Sequence, residues 1–99
     1  MNSEKILSLL GFAAKAGKLS FGTHATTFAI ESGKAKLVLA AEDISEKSVK
    51  ELKFKADKQN IEVTNLTGIK TADLSKRIGK NCGIVAVLDN GFADAIKKL

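Results

Sequence analysis

Two short runs without a polar side chain, Leu37-Val38-Leu39-Ala40-Ala41 and Ile84-Val85-Ala86-Val87-Leu88, constrain the fold of this chain more than any other feature. A strand with one face in water alternates polar and apolar residues; a strand with none of the polar positions is covered on both faces. Two such strands in a chain of 99 residues call for a central sheet with helices on each side. That arrangement fills one modest core and makes the chain a single domain over residues 1–99. There is no proline, no linker-like stretch and no internal repeat to divide it.

The intervening segments supply the helices. Ile6, Leu9, Leu10 and Ala13 recur at helical spacing within residues 3–16, and Gly17 ends that helix. Leu19-Ser20-Phe21 reads as a short strand, and residues 23–32 as a second helix with Ala25, Phe28 and Ala29 on its inner face and Gly33 as its stop. Ser45 caps a third helix reaching about residue 60, with Val49, Leu52 and Ala56 inward. The pairs Glu46 with Lys50 and Glu51 with Lys55 support it at i, i+4, and Phe54 points off the buried stripe. Residues 61–65 alternate as a strand. Thr71 caps a fourth helix that carries Leu74 and Ile78 inward and ends at Gly79; Asp89 or Asn90 caps a last helix over residues 92–98. The order is α-β-α-β-α-β-α-β-α, an α/β class.

Charge and cysteine content narrow the function. No apolar run approaches the roughly 18 residues of a membrane span, and the N-terminal segment is no signal peptide. One cysteine, Cys82, rules out an internal disulfide and points to a reducing, cytoplasmic setting. One Cys and one His cannot form a structural zinc site, and no metal or cofactor is expected. The net charge of +5 is uneven. Residues 1–39 hold five lysines against two glutamates; residues 40–60 balance; residues 61–99 hold six bases against four acids. A basic surplus at the two ends of the chain suits a phosphate-rich partner.

The best place for one is Gly22. A glycine opening a helix lets another backbone approach the free N–H groups there, and the helix dipole favours anions. Gly22, Thr23, His24 and Thr27 are therefore candidate contacts, with Lys15, Lys18, Lys34 and Lys36 around them for the phosphate backbone. Lys80 begins the loop Lys80-Asn81-Cys82-Gly83 before the second buried strand and is a further candidate. Cys82 reads either as a thiol beside Lys80 or as a half-buried packing residue. Glu42 and Asp43 follow a strand end, where ligands of α/β sheets bind, although helix-entry chemistry explains them equally. His24 lacks a nucleophile and an orienting acid in any catalytic pattern, and neither a P-loop nor a dinucleotide fingerprint is present, so no enzyme activity is expected.

The segments Leu10-Gly11-Phe12-Ala13-Ala14-Lys15-Ala16-Gly17-Lys18-Leu19, Gly22, and Gly33-Lys34-Ala35-Lys36-Leu37-Val38-Leu39 resemble the kink-turn RNA-binding ribosomal proteins. That family is ribosomal protein L-seven-Ae with its relative L-thirty-e, and the bacterial YlxQ-type branch resembles the chain most. Ala41-Glu42-Asp43, Ile78-Gly79-Lys80, Val85-Ala86-Val87 and Asp89-Asn90-Gly91-Phe92-Ala93 continue the likeness over almost the whole chain. The resemblance implies a three-layer α/β/α sandwich with a four-stranded mixed sheet. It implies a non-enzymatic, ribosome-associated protein, monomeric, that meets structured RNA such as ribosomal RNA at Gly22 and at Gly79-Lys80-Asn81-Cys82-Gly83, with protein partners in a ribonucleoprotein. Kink-turn readers usually carry Asn-Glu after the Gly-Thr or Gly-Ala pair and a Lys one turn later; here those positions hold His24, Ala25 and Phe28. Ala25 and Phe28 cannot replace a carboxylate and an ammonium, whereas His24 can hydrogen-bond to or stack on a base. The alternative is the same scaffold with kink-turn reading lost, serving as a protein-interaction or ribosome-assembly factor.

Overall fold

The computed structural model describes residues 2–99. In chain order these form α1 (Ser3–Lys15), β1 (Leu19–Phe21), α2 (Gly22–Glu31), β2 (Leu37–Ala40), α3 (Glu46–Asp57), β3 (Val63–Asn65), α4 (Thr71–Ile78), β4 (Ile84–Val87) and α5 (Asn90–Lys97). The two apolar runs are β2 and β4. They lie side by side and antiparallel at the centre of a sheet ordered β1-β4-β2-β3, with β1 antiparallel to β4 and β3 parallel to β2.

Strand alternation then sorts the core. Leu37, Leu39, Val85 and Val87 face one layer, where they meet Ile6, Leu10 and Ala13 of α1, Leu74 of α4, and Ala93 and Ile96 of α5. Val38, Ala40, Ile84 and Ala86 face the other, against Ala29 and Ile30 of α2 and Val49, Leu52 and Ala56 of α3. The expected α/β/α sandwich with a four-stranded mixed sheet is the one that forms. No helix among the described residues is long and apolar enough to cross a membrane.

Caps set most helix starts from local sequence. The Asn2 side chain accepts from Lys5 N–H at 3.1 Å, Ser45 Oγ from Ser48 N–H at 3.2 Å, and Asp89 from Phe92 N–H at 3.0 Å. The fourth helix differs from expectation. Thr71 does not cap α4 but is its first residue, and Asp43, 28 positions earlier, accepts from both its N–H and its Oγ1 at 2.8 Å. Asp73 reaches back to Lys70 N–H at 2.9 Å. The helix over Glu46–Asp57 also ends before residue 60. Its two i, i+4 pairs stay open: the only ion pair among the described residues joins Arg77 to Glu4 at 2.7 Å. Phe54 is exposed as expected, with the Lys58 ammonium 4.5 Å from its ring centre.

The inner face of α2 is the main correction. Ala25 and Phe28 point outward, and Thr26, Ala29 and Ile30 are buried instead. Two overlapping i, i+3, i+4 sets share Ala29, and they differ by a rotation of about 100°. The chain passes from β1 into α2 with no connecting residue, so the exit direction at Phe21 selects the rotation. Phe28 is left 66% exposed.

Burial of Thr26 leaves its Oγ1 without a hydrogen-bond partner in the core. An unmet buried hydroxyl costs about 1–3 kcal/mol, whereas an apolar group of the same shape costs nothing of the kind. Thr26→Val is therefore expected to raise stability by about 1 kcal/mol, seen in urea unfolding as a higher midpoint with the same slope. A lower midpoint would mean that the hydroxyl has a partner in solution.

Candidate nucleic-acid interface

Strand direction places the candidates. β1, β2 and β3 run one way and β4 the other. One end of the sheet, here the upper end, therefore gathers the start of α2, the segment 41–45 after β2, the turn 66–70 after β3 and the loop 80–83 before β4. The lower end gathers the residues that precede β1, β2 and β3 and those that leave β4.

At the upper end, Phe21 lies opposite Val85, so the residues leaving β1 sit beside those entering β4. The Lys80 ammonium stands 4.8 Å from the centre of the Phe21 ring. Phe21 also occupies the N-cap position of α2; no side chain caps that helix, and its first turn has no acid. Gly22 has φ +85°, a conformation strained for any residue with a Cβ, and a Cβ there would meet nothing within 4 Å. The backbone is thus open to approach, with Thr23 and His24 exposed, Thr27 half-buried one turn on, and Asn81 exposed across the gap. Sequence patterning presents Phe21 only as a strand residue. The one signal for its role is an aromatic ring placed directly before the helix glycine. Lys70, exposed at the N-cap of α4, also belongs to this end, and no sequence motif points to it.

Two candidates have structural duties here. Cys82 is 5% exposed, deeper than the half-buried position expected, and it is withdrawn from the contact surface. Its N–H donates to Ser75 Oγ at 3.0 Å, its carbonyl accepts from the same hydroxyl at 3.1 Å, and burial raises the thiol pKa despite the nearby Lys80 charge. Gly83 is tight: a Cβ would come within 2.5 Å of Thr71 Oγ1 and 2.7 Å of Ile44 Cδ1. Glu42 and Asp43 follow the helix-entry account. Glu42 accepts from Gly68 N–H at 3.2 Å, and the two bonds from Thr71 hold the Asp43 carboxyl below its ordinary pKa.

Four lysines are not where the sequence placed them. Lys18, Lys34 and Lys36 lie at the lower end: Leu88 N–H donates to Lys18 O at 2.8 Å, and Lys36 N–H to Val87 O at 2.7 Å. Lys15, in the last turn of α1, borders a cleft of about 180 Å³ with Ser8, Gly11, Phe12 and Arg77. The turn at Gly22 is flanked by these residues along the chain but not in space, because strand β1 and helix α2 each carry the chain the length of the sheet.

A sandwich of this topology, with an open helix start and a lysine-bearing loop joined at one end of the sheet, defines a recognisable class. The chain belongs to the Ribosomal protein L7Ae/L30e/S12e/Gadd45 family, whose pattern matches residues 4–97. It is 36% identical over 98 residues to the RNA-binding protein YlxQ of Enterococcus faecium, covering 99% of this chain and 93% of that one. It is 37% identical over 100 residues to the large ribosomal subunit protein eL8 of Haloquadratum walsbyi, covering 94% and 78%. Among solved structures, a Bacillus halodurans protein of unknown function superposes with a TM-score of 0.87 at 30% identity, over 95% of this chain and 94% of that one. The Giardia lamblia 15.5kD RNA binding protein shares the fold, with a TM-score of 0.80 at 15% identity over 97% and 82%.

Two outcomes test the architecture of this end. Gly83→Ala is expected to lower stability by about 1–3 kcal/mol through overpacking against Thr71 and Ile44, read from denaturant unfolding. Unchanged stability would mean that the loop shifts freely. Asp43 has a depressed folded-state pKa, so its contribution is present above the ordinary value of 3.8 and is lost as the pH falls through the lower folded value. Asp43→Asn should flatten the acid limb of the stability curve; an identical limb would remove this linkage.

Proposed function

We propose that this protein binds structured RNA at the upper end of the sheet, an internal loop or kink-turn gripped between the start of α2 and the loop 80–83. The observation that carries this is the Lys80 ammonium above the Phe21 ring, beside the uncapped, sterically open helix start at Gly22. Residues 22 and 80 are far apart in the chain, and their union makes one surface from backbone donors and a cation. The names of the relatives support the same assignment. Its contacts are Gly22, Thr23, His24 and Thr27 on one side and Lys80, Asn81 and the backbone at Gly83 on the other. Ribosomal RNA is the natural target class. The protein acts as one domain and as a monomer in the cytoplasm, without catalytic chemistry.

Each part has a defined task. The free N–H groups and the dipole of α2 hold a phosphate or a base edge. Lys80 neutralises backbone charge from the other side. His24 reads or stacks on a base, and Phe28, one turn along α2, offers an apolar edge where a cation is usual in kink-turn readers. This shifts recognition from hydrogen-bonded reading of particular base pairs toward shape, the common mode for folded RNA. The exposure of Phe12, Phe28 and Phe54 favours a second reading, a protein-binding assembly factor on the same scaffold.

Titration against an RNA with a kink-turn and against a straight duplex, each at several salt concentrations, separates these. Tighter binding of the kinked RNA is expected. Lys80→Ala should reduce the slope of log K against log salt by about 0.7–0.9, the value for one phosphate. Equal, weak binding to both RNAs would overturn recognition of a folded RNA, and partners retained after nuclease treatment would then favour the assembly reading.

A further inference from the structure

Lys18, Lys34 and Lys36, which chain order alone groups around Gly22, form a separate cluster. Lys18 and Lys36 flank Leu88, the residue leaving β4, one on the β1 side and one on the β2 side. Two strand spacings put their Cα atoms about 10 Å apart. Alternation gives them a common face. Leu19, Leu37 and Val87 point toward α1, α4 and α5, so Lys18, Lys36 and Leu88 fall on the face of α2 and α3, and Leu88 packs there. Lys34 joins them just past the end of α2, its N–H donating to Ala29 O at 2.9 Å.

None of these cations is held in an ion pair. None is within 4.0 Å of a carboxylate, since Arg77 with Glu4 is the only ion pair among the described residues. Of the neighbouring acids, Asp89 is committed to capping α5 and Glu62 accepts from Thr64 Oγ1 at 2.9 Å. Glu62 and Asp89 also alternate onto the opposite face from Val63 and Leu88. Glu31, in the last turn of α2, and Asp57, the last residue of α3, are the acids left on this side, two against three lysines. The ten residues of α2 separate the cluster from Gly22 by about 15 Å.

We propose that the lower end of the sheet is a second RNA contact, taking the phosphate backbone of a separate RNA segment. Lysine ammonium groups act as point charges, so a cluster of three suits neutralisation of phosphates without reading of bases. With the upper end occupied, the protein then bridges two RNA segments. This rests on the RNA-binding reading above, but on none of the residues that carry it.

The test is a mobility-shift and anisotropy titration in which the protein is first saturated with a short kink-turn RNA, after which a labelled straight RNA duplex is added. A ternary complex is expected at low salt. The triple variant Lys18→Gln, Lys34→Gln, Lys36→Gln should lose it and lower the salt slope of the second step by about 2–3, while binding the kink-turn RNA as before. Equal melting temperatures would show that the variant is folded. Displacement of the first RNA by the duplex, or a ternary complex unaffected by the triple variant, overturns the proposal. Lys80→Ala should leave the second step unchanged. If the kink-turn RNA shows no preference over duplex, the upper-end reading falls; duplex binding that is sensitive to the three lysines and not to Lys80 would still uphold the lower-end contact.

Discussion

The antiparallel pairing of β2 with β4 is the constraint on which the rest of this structure depends. Leu37 opposite Val87 and Leu39 opposite Val85 supply one face, and Val38 opposite Ala86 and Ala40 opposite Ile84 supply the other. A slip of one residue would exchange the two faces. Leu and Val would then meet α2 and α3, which pack on the smaller Ala40 and Ala86, and the layer under α1, α4 and α5 would be left underfilled. Both faces are dry, so the register is held from two sides.

The upper end is a consequence of that pairing. Once β4 is central and β1 lies on its free edge, Phe21 must sit opposite Val85, and the loop 80–83 must enter beside the start of α2. The loop is consolidated from beneath: Cys82 is tied twice to Ser75, and Gly83 fits where no Cβ would. Glu42 and Asp43 at this end are engaged as acceptors for Gly68 and Thr71. Backbone polarity, one ammonium on an aromatic ring and the exposed edge of α2 remain for a ligand. Such a surface recognises the shape of a folded polyanion more readily than a sequence of bases.

Much of the fold was legible because its signals are local. The two apolar runs, the caps at Ser45 and Asp89, and the stripes of α1 and α3 each depend on residues within a few positions of one another. The α2 face was not legible, because Ala25, Phe28 and Ala29 form as good a stripe as Thr26, Ala29 and Ile30 until the exit from β1 selects one. The start of α4 escaped for a related reason: Asp43, which holds Thr71, is 28 residues away.

The candidate site divides the same way. Gly22 was readable as a helix opening, since a glycine between a strand and a helical pattern carries its own conformational meaning. By itself the sequence determined the layers, the family likeness and the presence of basic residues in excess. Only the tertiary structure decided that Lys80 stands beside Gly22 while Lys18, Lys34 and Lys36 stand a helix length away. Strand order is non-local: a residue before a strand and a residue after it are neighbours in sequence, yet the strand carries them to opposite ends of the sheet.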